Sequence, residues 1–134
     1  MKNLEITSSQ NSPHILCDAG ENTITIEGES RPESVRIFYQ PLFDWVANYQ
    51  AQLESNSNIT IKLNLNLSYF NSSSVKIFLE LISSFSTLQK SNPKISFIIN
   101  WFHDETDEDM IEAGKEFENM IGFPLCFVSK KEDN

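Results

Sequence analysis

A strict alternation of apolar and polar residues over residues 59–67 constrains the fold of this chain more than any other feature. The apolar residues of this segment occupy every second position: Ile59, Ile61, Leu63, Leu65 and Leu67. Successive side chains of a β-strand point to opposite faces of its sheet, so the pattern predicts a strand with one buried face and one polar face. Such a strand belongs to a sheet that helices cover on one side only.

Two apolar stripes with helical spacing lie on either side of this strand. The first stripe comprises Phe38, Leu42, Trp45, Val46, Tyr49 and Leu53, and the second comprises Val75, Phe78, Leu79, Ile82 and Phe85. Pro41 lies within the first stripe, so we expect either a helix that begins near it or an irregular first turn. A polar turn at residues 55–58 is expected to close the first helix.

The remaining patterns predict short strands and a third helix. Strand-like runs at residues 14–18 and 22–28 flank a turn, which indicates a hairpin. Residues 95–101 predict a buried strand, residues 104–120 a helix, and residues 125–128 a last short strand.

The order ββαβαβαβ indicates an α/β fold. Strands separated by helices become parallel neighbours through right-handed crossovers, and the opening hairpin adds an antiparallel edge. We therefore expect a mixed sheet of about five strands, with helices mainly covering one face. Residues 1–134 are expected to form a single domain, with residues 129–134 as a frayed tail.

Composition excludes several classes of partner. The net charge of −9 argues against nucleic acid or an anionic membrane, because both attract clustered Lys and Arg. Residues 1–6 contain no apolar run of signal-peptide length, and no later segment is long enough to span a bilayer, so we expect a cytoplasmic protein. Cys17 and Cys126 lie in predicted strands, where we expect buried, reduced thiols without a disulfide.

An Asn and three consecutive hydroxyl residues, Asn71-Ser72-Ser73-Ser74, lie between the alternating strand and the second helix. The first backbone N–H groups of a helix lack intrahelical partners. An Asn or Ser at this point can cap the helix and stabilise it by about 1 kcal/mol. The same hydroxyls can serve a kinase, because the helix dipole and the free amides tolerate a phosphate locally. The residues alone leave both interpretations open.

An acidic segment follows the predicted strand at residues 95–101, with six acids between Asp104 and Glu112. We predict no metal site and no cofactor, because Asp109 stands where a calcium loop requires Gly. The helix dipole explains acids in a first helical turn, and they can also form a rim that faces a partner. His103 and Asp104 suggest an acid–base pair, but no nucleophile or Gly-rich phosphate loop accompanies them.

Several motifs, in order and at matching separations, resemble the SiaC-type bacterial regulatory phosphoproteins, relatives in shape of the STAS-domain anti-sigma-factor antagonists. These motifs are Ile26-Glu27-Gly28-Glu29-Ser30, Pro32-Glu33 with Phe38-Tyr39-Gln40-Pro41 and Trp45, Tyr69-Phe70-Asn71-Ser72-Ser73-Ser74 with Lys76, and Trp101 through Asp104 with Asp107-Glu108-Asp109-Met110 and Glu112-Ala113-Gly114. The resemblance covers nearly the whole chain.

The resemblance implies a STAS-like fold and a partner-switching module without catalysis of its own. In this family a cognate kinase phosphorylates a hydroxyl after the Tyr-Phe-Asn triplet, and a PP2C-type phosphatase removes the phosphate. The unmodified form of known members binds and activates a diguanylate cyclase, which raises cyclic di-GMP and favours aggregation or biofilm growth. The matching acceptor here is Ser72, where the family usually has Thr, and Ser73 and Ser74 are weaker candidates.

On this interpretation, phosphate would disrupt the docking of an effector through bulk, desolvation cost and repulsion. Partner contacts are assigned to residues around the acceptor and in the acidic rim: Tyr69, Phe70, Asn71, Ser73, Ser74, Lys76, Asp104, Asp107, Glu108 and Asp109. Two alternatives stay open. One is a structural interaction domain whose hydroxyls only cap a helix, and the other is a small enzyme that uses His103 and Asp104.

Overall fold

A computed structural model describes residues 1–53 and 57–131 of the chain. Its elements follow in the order β1 (Leu4–Ile6), β2 (His14–Asp18), β3 (Thr23–Ser30), α1 (Val35–Gln52), β4 (Ile59–Phe70), α2 (Ser72–Ser91), β5 (Ile95–Asp104), α3 (Glu108–Ile121) and β6 (Cys126–Lys130). Of the polar turn predicted at residues 55–58, residues 55 and 56 lie outside the described residues, and so do residues 132–134 of the predicted tail.

The strands form one mixed sheet in the order β1-β2-β3-β4-β5-β6. β1, β2 and β3 pair antiparallel, whereas β3 to β6 pair parallel. Right-handed crossovers that advance in one direction along a sheet place all connecting helices on the same face. The predicted α/β class, the hairpin and the parallel strands are confirmed. The sheet has one strand more than expected, because β1 is only three residues long and too short to show an alternation.

β4 follows the predicted alternation. Four of its inward side chains are at most 4 % exposed, namely Ile61, Leu63, Leu65 and Leu67, whereas Ile59 at the start of the strand is partly buried. On the opposite face, polar side chains connect neighbouring strands. The Asn64 amide donates to Thr25 Oγ1 at 3.2 Å, and the Asn100 amide donates to Asn64 Oδ1 at 2.9 Å. The sheet therefore has one apolar face under the helices and one polar face, as the alternation predicted.

Pro41 lies inside α1 rather than at its start, because the helix begins at Val35. Proline cannot donate a hydrogen bond to the carbonyl of Ile37, but Ile37 is 76 % exposed and lies on the solvent side of the helix. Tyr39 is fully buried, although the predicted stripe omitted it. Among the described residues, no helix is both long and apolar enough to cross a membrane.

The boundaries of the last strands and of α3 differ from the prediction. β5 continues to Asp104, and α3 begins at Glu108 rather than at Asp104. The pairing of Asp104 with Lys130 extends the parallel ladder and keeps this end of β5 in the sheet. For the same reason Ser129 and Lys130 belong to β6 and not to a frayed tail.

The two cysteines have different environments. Cys17 is buried, as predicted, and burial raises the pKa of its thiol to about 12. Cys126 is exposed, contrary to the prediction, because it lies in the edge strand β6 opposite Asn100, on the polar face of the sheet. Both are free thiols.

Candidate functional site

A β-bulge near the end of β4 decides which side chains surround the predicted acceptor. Gly28 pairs with Leu67, but the next residue of β3, Glu29, pairs with Tyr69. Ser68 is therefore an extra residue in β4, and it reverses the alternation that precedes it. The simple alternation would have turned Tyr69 towards the helices.

The bulge exposes one aromatic ring and buries the next. Tyr69 is 47 % exposed, and the Arg31 guanidinium lies 5.5 Å from the centroid of its ring. Phe70 turns inward, where its ring centroid lies 6.4 Å from that of Phe78 and 5.7 Å from that of Trp101. An accessible tyrosine thus lies at the end of β4, next to a phenylalanine that packs against buried aromatic rings.

Asn71 caps the helix α2. Its side-chain Oδ1 accepts a hydrogen bond from the Ser74 N–H at 2.9 Å, and its carbonyl accepts one from the Val75 N–H at 3.1 Å. Ser72 and Ser73 occupy the first helical positions, both are exposed, and neither hydroxyl is hydrogen-bonded to another described residue. The capping role falls to Asn71, so two serine hydroxyls at the helix start are left accessible.

Ser74 is fully buried and belongs to a chain of hydroxyl groups inside the domain. Its Oγ donates to the Ser30 carbonyl at 2.9 Å and lies 2.7 Å from Ser30 Oγ, which lies 2.6 Å from the Tyr39 hydroxyl. Ser74 cannot present its hydroxyl to a kinase or touch a partner in this conformation. Burial therefore corrects its assignment as a weaker acceptor and as a partner contact.

The donors and acceptors of these three hydroxyl groups can be assigned in only one consistent way. Each hydroxyl carries a single proton, and that of Ser74 points to the Ser30 carbonyl. Ser30 must then donate to Ser74 Oγ, and Tyr39 must donate to Ser30 Oγ. Desolvation by burial raises the pKa of Tyr39 to about 12 and so keeps the Tyr39 proton in place.

Replacement of the cap residue Asn71 should measure how much the cap stabilises the acceptor turn, which comprises residues 71–74. We expect Asn71→Ala to lower the free energy of unfolding by about 1 kcal/mol, because the Ser74 N–H loses its acceptor. Ser34 provides a matched control, since it is the N-cap of α1 but its side chain makes no capping hydrogen bond. Urea titration should show little change for Ser34→Ala. Equal losses for both variants would contradict the capping role of Asn71.

The acidic start of α3 lies beside the end of β4. A cavity of about 360 Å³ is lined by both segments: Ser68, Tyr69, Phe70, Asp107, Asp109, Met110 and Ala113. Asp107 is the N-cap of α3, and its Oδ1 accepts a hydrogen bond from the Met110 N–H at 3.0 Å. Two motifs that lie far apart in the sequence thus form one surface. Its aromatic wall comprises Tyr69 and Phe70, and its acidic lip comprises Asp107 and Asp109.

The other predicted contact residues differ in their relation to this cavity. Glu108 is exposed at the first position of α3, and Lys76 is exposed just after the first turn of α2. Asp104 Oδ1 lies 3.8 Å from Lys130 Nζ, which also donates to the side-chain oxygen of Asn66 on the polar face. Asp104 therefore belongs to the polar face of the sheet and not to the cavity with Asp107 and Asp109.

His103 and Asp104 do not form the acid–base pair that the alternative of a small enzyme would require. They are consecutive residues of a strand, so their side chains point to opposite faces. His103 is 8 % exposed, and its Nδ1 lies 2.9 Å from the backbone carbonyl of Asp104, not from the carboxylate. No group of three or more His, Cys, Asp or Glu side chains in residues 1–53 and 57–131 is arranged to hold a metal ion.

Sequence reasoning missed Ser30, Arg31 and Tyr39 as neighbours of the acceptor turn. Tyr39 lies three residues before Leu42 and seven before Val46, which places all three on one face of the helix. This spacing could have predicted that Tyr39 is buried. Ser30 carried no local signal, because its partner Ser74 lies 44 residues away in the sequence.

Comparison with known proteins identifies the class of this chain. Residues 6–130 match the model of a family described as SiaC family regulatory phosphoprotein. The fold and the match together define a regulatory phosphoprotein, a class of regulators rather than of enzymes. The chain belongs to the SiaC family, as the sequence motifs indicated.

Individual relatives agree with this membership. A protein of Pseudomonas aeruginosa strain UCBPP-PA14 is 25 % identical over 132 residues, which cover 98 % of this chain and 100 % of the relative. The crystal structure of apo-SiaC from P. aeruginosa has a TM-score of 0.79 at 24 % identity, covering 95 % of this chain and 98 % of that chain. A chain in the crystal structure of diguanylate cyclase SiaD in complex with its activator SiaC, also from P. aeruginosa, has a TM-score of 0.81 at 24 % identity and covers 95 % and 99 %. These structures share the fold.

Proposed function

We propose that this chain is a partner-switching regulator, reversibly phosphorylated on Ser72 by a cognate kinase and dephosphorylated by a PP2C-type phosphatase. The accessibility of Ser72 is the observation that carries the proposal. Its hydroxyl is exposed in the first turn of a helix that Asn71 caps, so the turn does not depend on that hydroxyl for its own stability. A hydroxyl at a helix start that makes no stabilising hydrogen bond can be phosphorylated without unfolding the domain.

Ser72 ranks before Ser73 because it follows the Tyr-Phe-Asn triplet directly, as the acceptor does in the family. Both hydroxyls are exposed, and the burial of Ser74 removes the third candidate. Ser73 therefore stays the second choice of acceptor.

The effector in this proposal is a diguanylate cyclase, so that the output is cyclic di-GMP. SiaC of P. aeruginosa, whose fold this chain shares, is described as the activator of the diguanylate cyclase SiaD. The docking surface would comprise exposed Tyr69, the neighbouring cavity with Asp107 and Asp109, and the start of α2 with Lys76. An aromatic wall beside a shaped pocket is typical of the energetic centre of a protein interface.

The switch then follows from charge and hydration. A phosphate adds about −1.5 to −2 charges at neutral pH. Within the free chain the amides at the start of α2 accommodate it, since the helix dipole favours negative charge there. Within the complex the phosphate would have to shed its hydration shell at a surface whose lip already carries Asp107 and Asp109. The unmodified chain would bind and the phosphorylated chain would not.

Mass spectrometry of the chain isolated from its native host tests the phosphorylation directly. We expect a phosphopeptide spanning residues 69–76 with the phosphate on Ser72, lost after treatment with a metal-dependent phosphatase of the PP2C type. A strain that carries Ser72→Ala is the control and should lack it. A phosphate on Ser73 would move the acceptor by one residue. No phosphopeptide from this segment in any growth state would favour a domain whose hydroxyls play no part in a switch.

A further inference from the structure

The buried hydroxyl chain of Tyr39, Ser30 and Ser74 has no part in the switch as proposed above. All three residues are 0 % exposed, and every hydroxyl has a hydrogen-bond partner. Polar groups inside an apolar core cost free energy unless they are paired, and apolar replacements of similar shape can be equally stable. A fully satisfied network of this kind instead favours one arrangement of the elements that it joins.

Hydrogen bonds connect both ends of the acceptor turn to Ser30 of β3. The Ser30 carbonyl accepts a hydrogen bond from the Asn71 N–H at 3.2 Å and another from Ser74 Oγ at 2.9 Å. Ser72 and Ser73 lie between these two attachment points. Ser30 is held in turn by the Tyr39 hydroxyl of α1 at 2.6 Å. A single side chain of α1 therefore connects to the segment that carries the exposed hydroxyls.

We propose that Tyr39, Ser30 and Ser74 are positioning residues that hold the first turn of α2 in the conformation that the effector binds. This inference rests on the proposed docking surface at the start of α2. A turn that is already ordered loses little conformational entropy when a partner binds, whereas a loosened turn must be ordered at the expense of affinity. Removal of the Tyr39 hydroxyl should therefore weaken effector binding although Tyr39 touches no partner.

The chain contains a matched control for this test. Tyr49 lies in the same helix as Tyr39, it is also buried, and desolvation raises its pKa to about 12 as well. Its hydroxyl donates to Asn22 Oδ1 at 2.5 Å, away from the acceptor turn. Tyr39→Phe and Tyr49→Phe each remove one buried hydroxyl from α1 and keep the ring, but only the first one breaks the link to Ser30.

Hydrogen exchange and effector affinity should be measured on both variants, with the purified diguanylate cyclase as the probe, at a temperature where circular dichroism shows both fully folded. The Val75 amide, which bonds to the Asn71 carbonyl, reports the first turn of α2. We expect Tyr39→Phe to accelerate exchange of this amide about five-fold and to weaken effector binding about five-fold, the effect of one hydrogen bond. Tyr49→Phe should change neither quantity.

Equal exchange of the Val75 amide in the two variants would overturn the inference, and so would unchanged effector affinity of Tyr39→Phe. Tyr39→Phe combined with Ser74→Ala gives a further check. Because both changes break one network, the double variant should lose less affinity than the two single losses combined. Exchange is measured without the effector, so it tests the link itself even if Ser72 proves not to be a switch.

Discussion

Ser72→Asp is expected to weaken binding of the diguanylate cyclase roughly 100-fold, because the carboxylate becomes a desolvated, unpaired charge in the proposed interface. Ser72→Ala should bind like the unsubstituted chain, since the Ser72 hydroxyl makes no hydrogen bond to another described residue. Isothermal titration calorimetry with the purified cyclase measures both affinities. A chain phosphorylated on Ser72 should behave as Ser72→Asp does.

Ser83 provides the matched control for this experiment. It is an exposed serine of the same helix, but it lies more than two turns after the acceptor and does not line the cavity beside Tyr69. Ser83→Asp adds the same charge and should leave effector affinity within about two-fold of the unsubstituted chain, because exposed charges at a distance are screened. Undiminished binding by both Ser72→Asp and the phosphorylated chain would refute the switch mechanism.

Gly114→Ala is expected to lower the free energy of unfolding by about 1–3 kcal/mol, the usual range for overpacking. A Cβ at this position would lie 2.6 Å from Phe127 Cε1 and 2.7 Å from Trp101 Nε1. Trp101 cannot simply move away, because its Nε1–H donates to the Met110 carbonyl at 3.0 Å. α3 approaches the sheet closely at this point, and only a glycine fits.

The sequence and the structure predict opposite signs for the change in stability of Gly114→Ala. Helix propensity alone predicts that Ala in place of a mid-helix Gly stabilises the chain by about 1 kcal/mol. Chemical denaturation of Gly114→Ala decides between the two expectations. Lys115→Ala is the control at the neighbouring exposed position and should change stability by less than about 0.5 kcal/mol. A more stable Gly114→Ala would contradict the packing of α3 described here.

The close approach of α3 to the sheet also affects the proposed docking surface. Met110 and Ala113 line the cavity beside Tyr69, and Gly114 follows them in α3. Because Gly114 sets the distance between α3 and β5, a displaced helix would change the shape of this cavity. We therefore expect effects on partner binding to accompany the loss of stability in Gly114→Ala.

Much of the fold was predictable because it depends on local patterns. The alternation of residues 59–67 indicated a half-buried strand in a sheet that helices cover on one side, and the apolar stripes indicated the helices. Both are confirmed. β1 and the pairing of Asp104 with Lys130 were missed, because short edge pairings depend on a partner strand and not on a pattern of their own.

The candidate site was predictable as a segment but not as a surface. The sequence indicated that residues 69–76 join a strand to a helix and that a cap residue stands there, and Asn71 is that residue. The sequence could not separate Ser72 and Ser73 from Ser74, because the burial of Ser74 depends on Ser30. It also could not place Asp104 and Asp107 on different faces, since that depends on where β5 ends.

The sequence by itself therefore determined the class of fold, the family motifs and the position of the hydroxyl cluster at a helix start. Alternation and helical spacing are properties of neighbouring residues, and they are visible in one dimension. Only the tertiary structure decided that a bulge at Ser68 turns Tyr69 outward, that Ser74 joins a buried network, and that the start of α3 lies beside the end of β4. The physical reason is that each of these features arises from contacts between residues far apart in the chain, which no local pattern encodes.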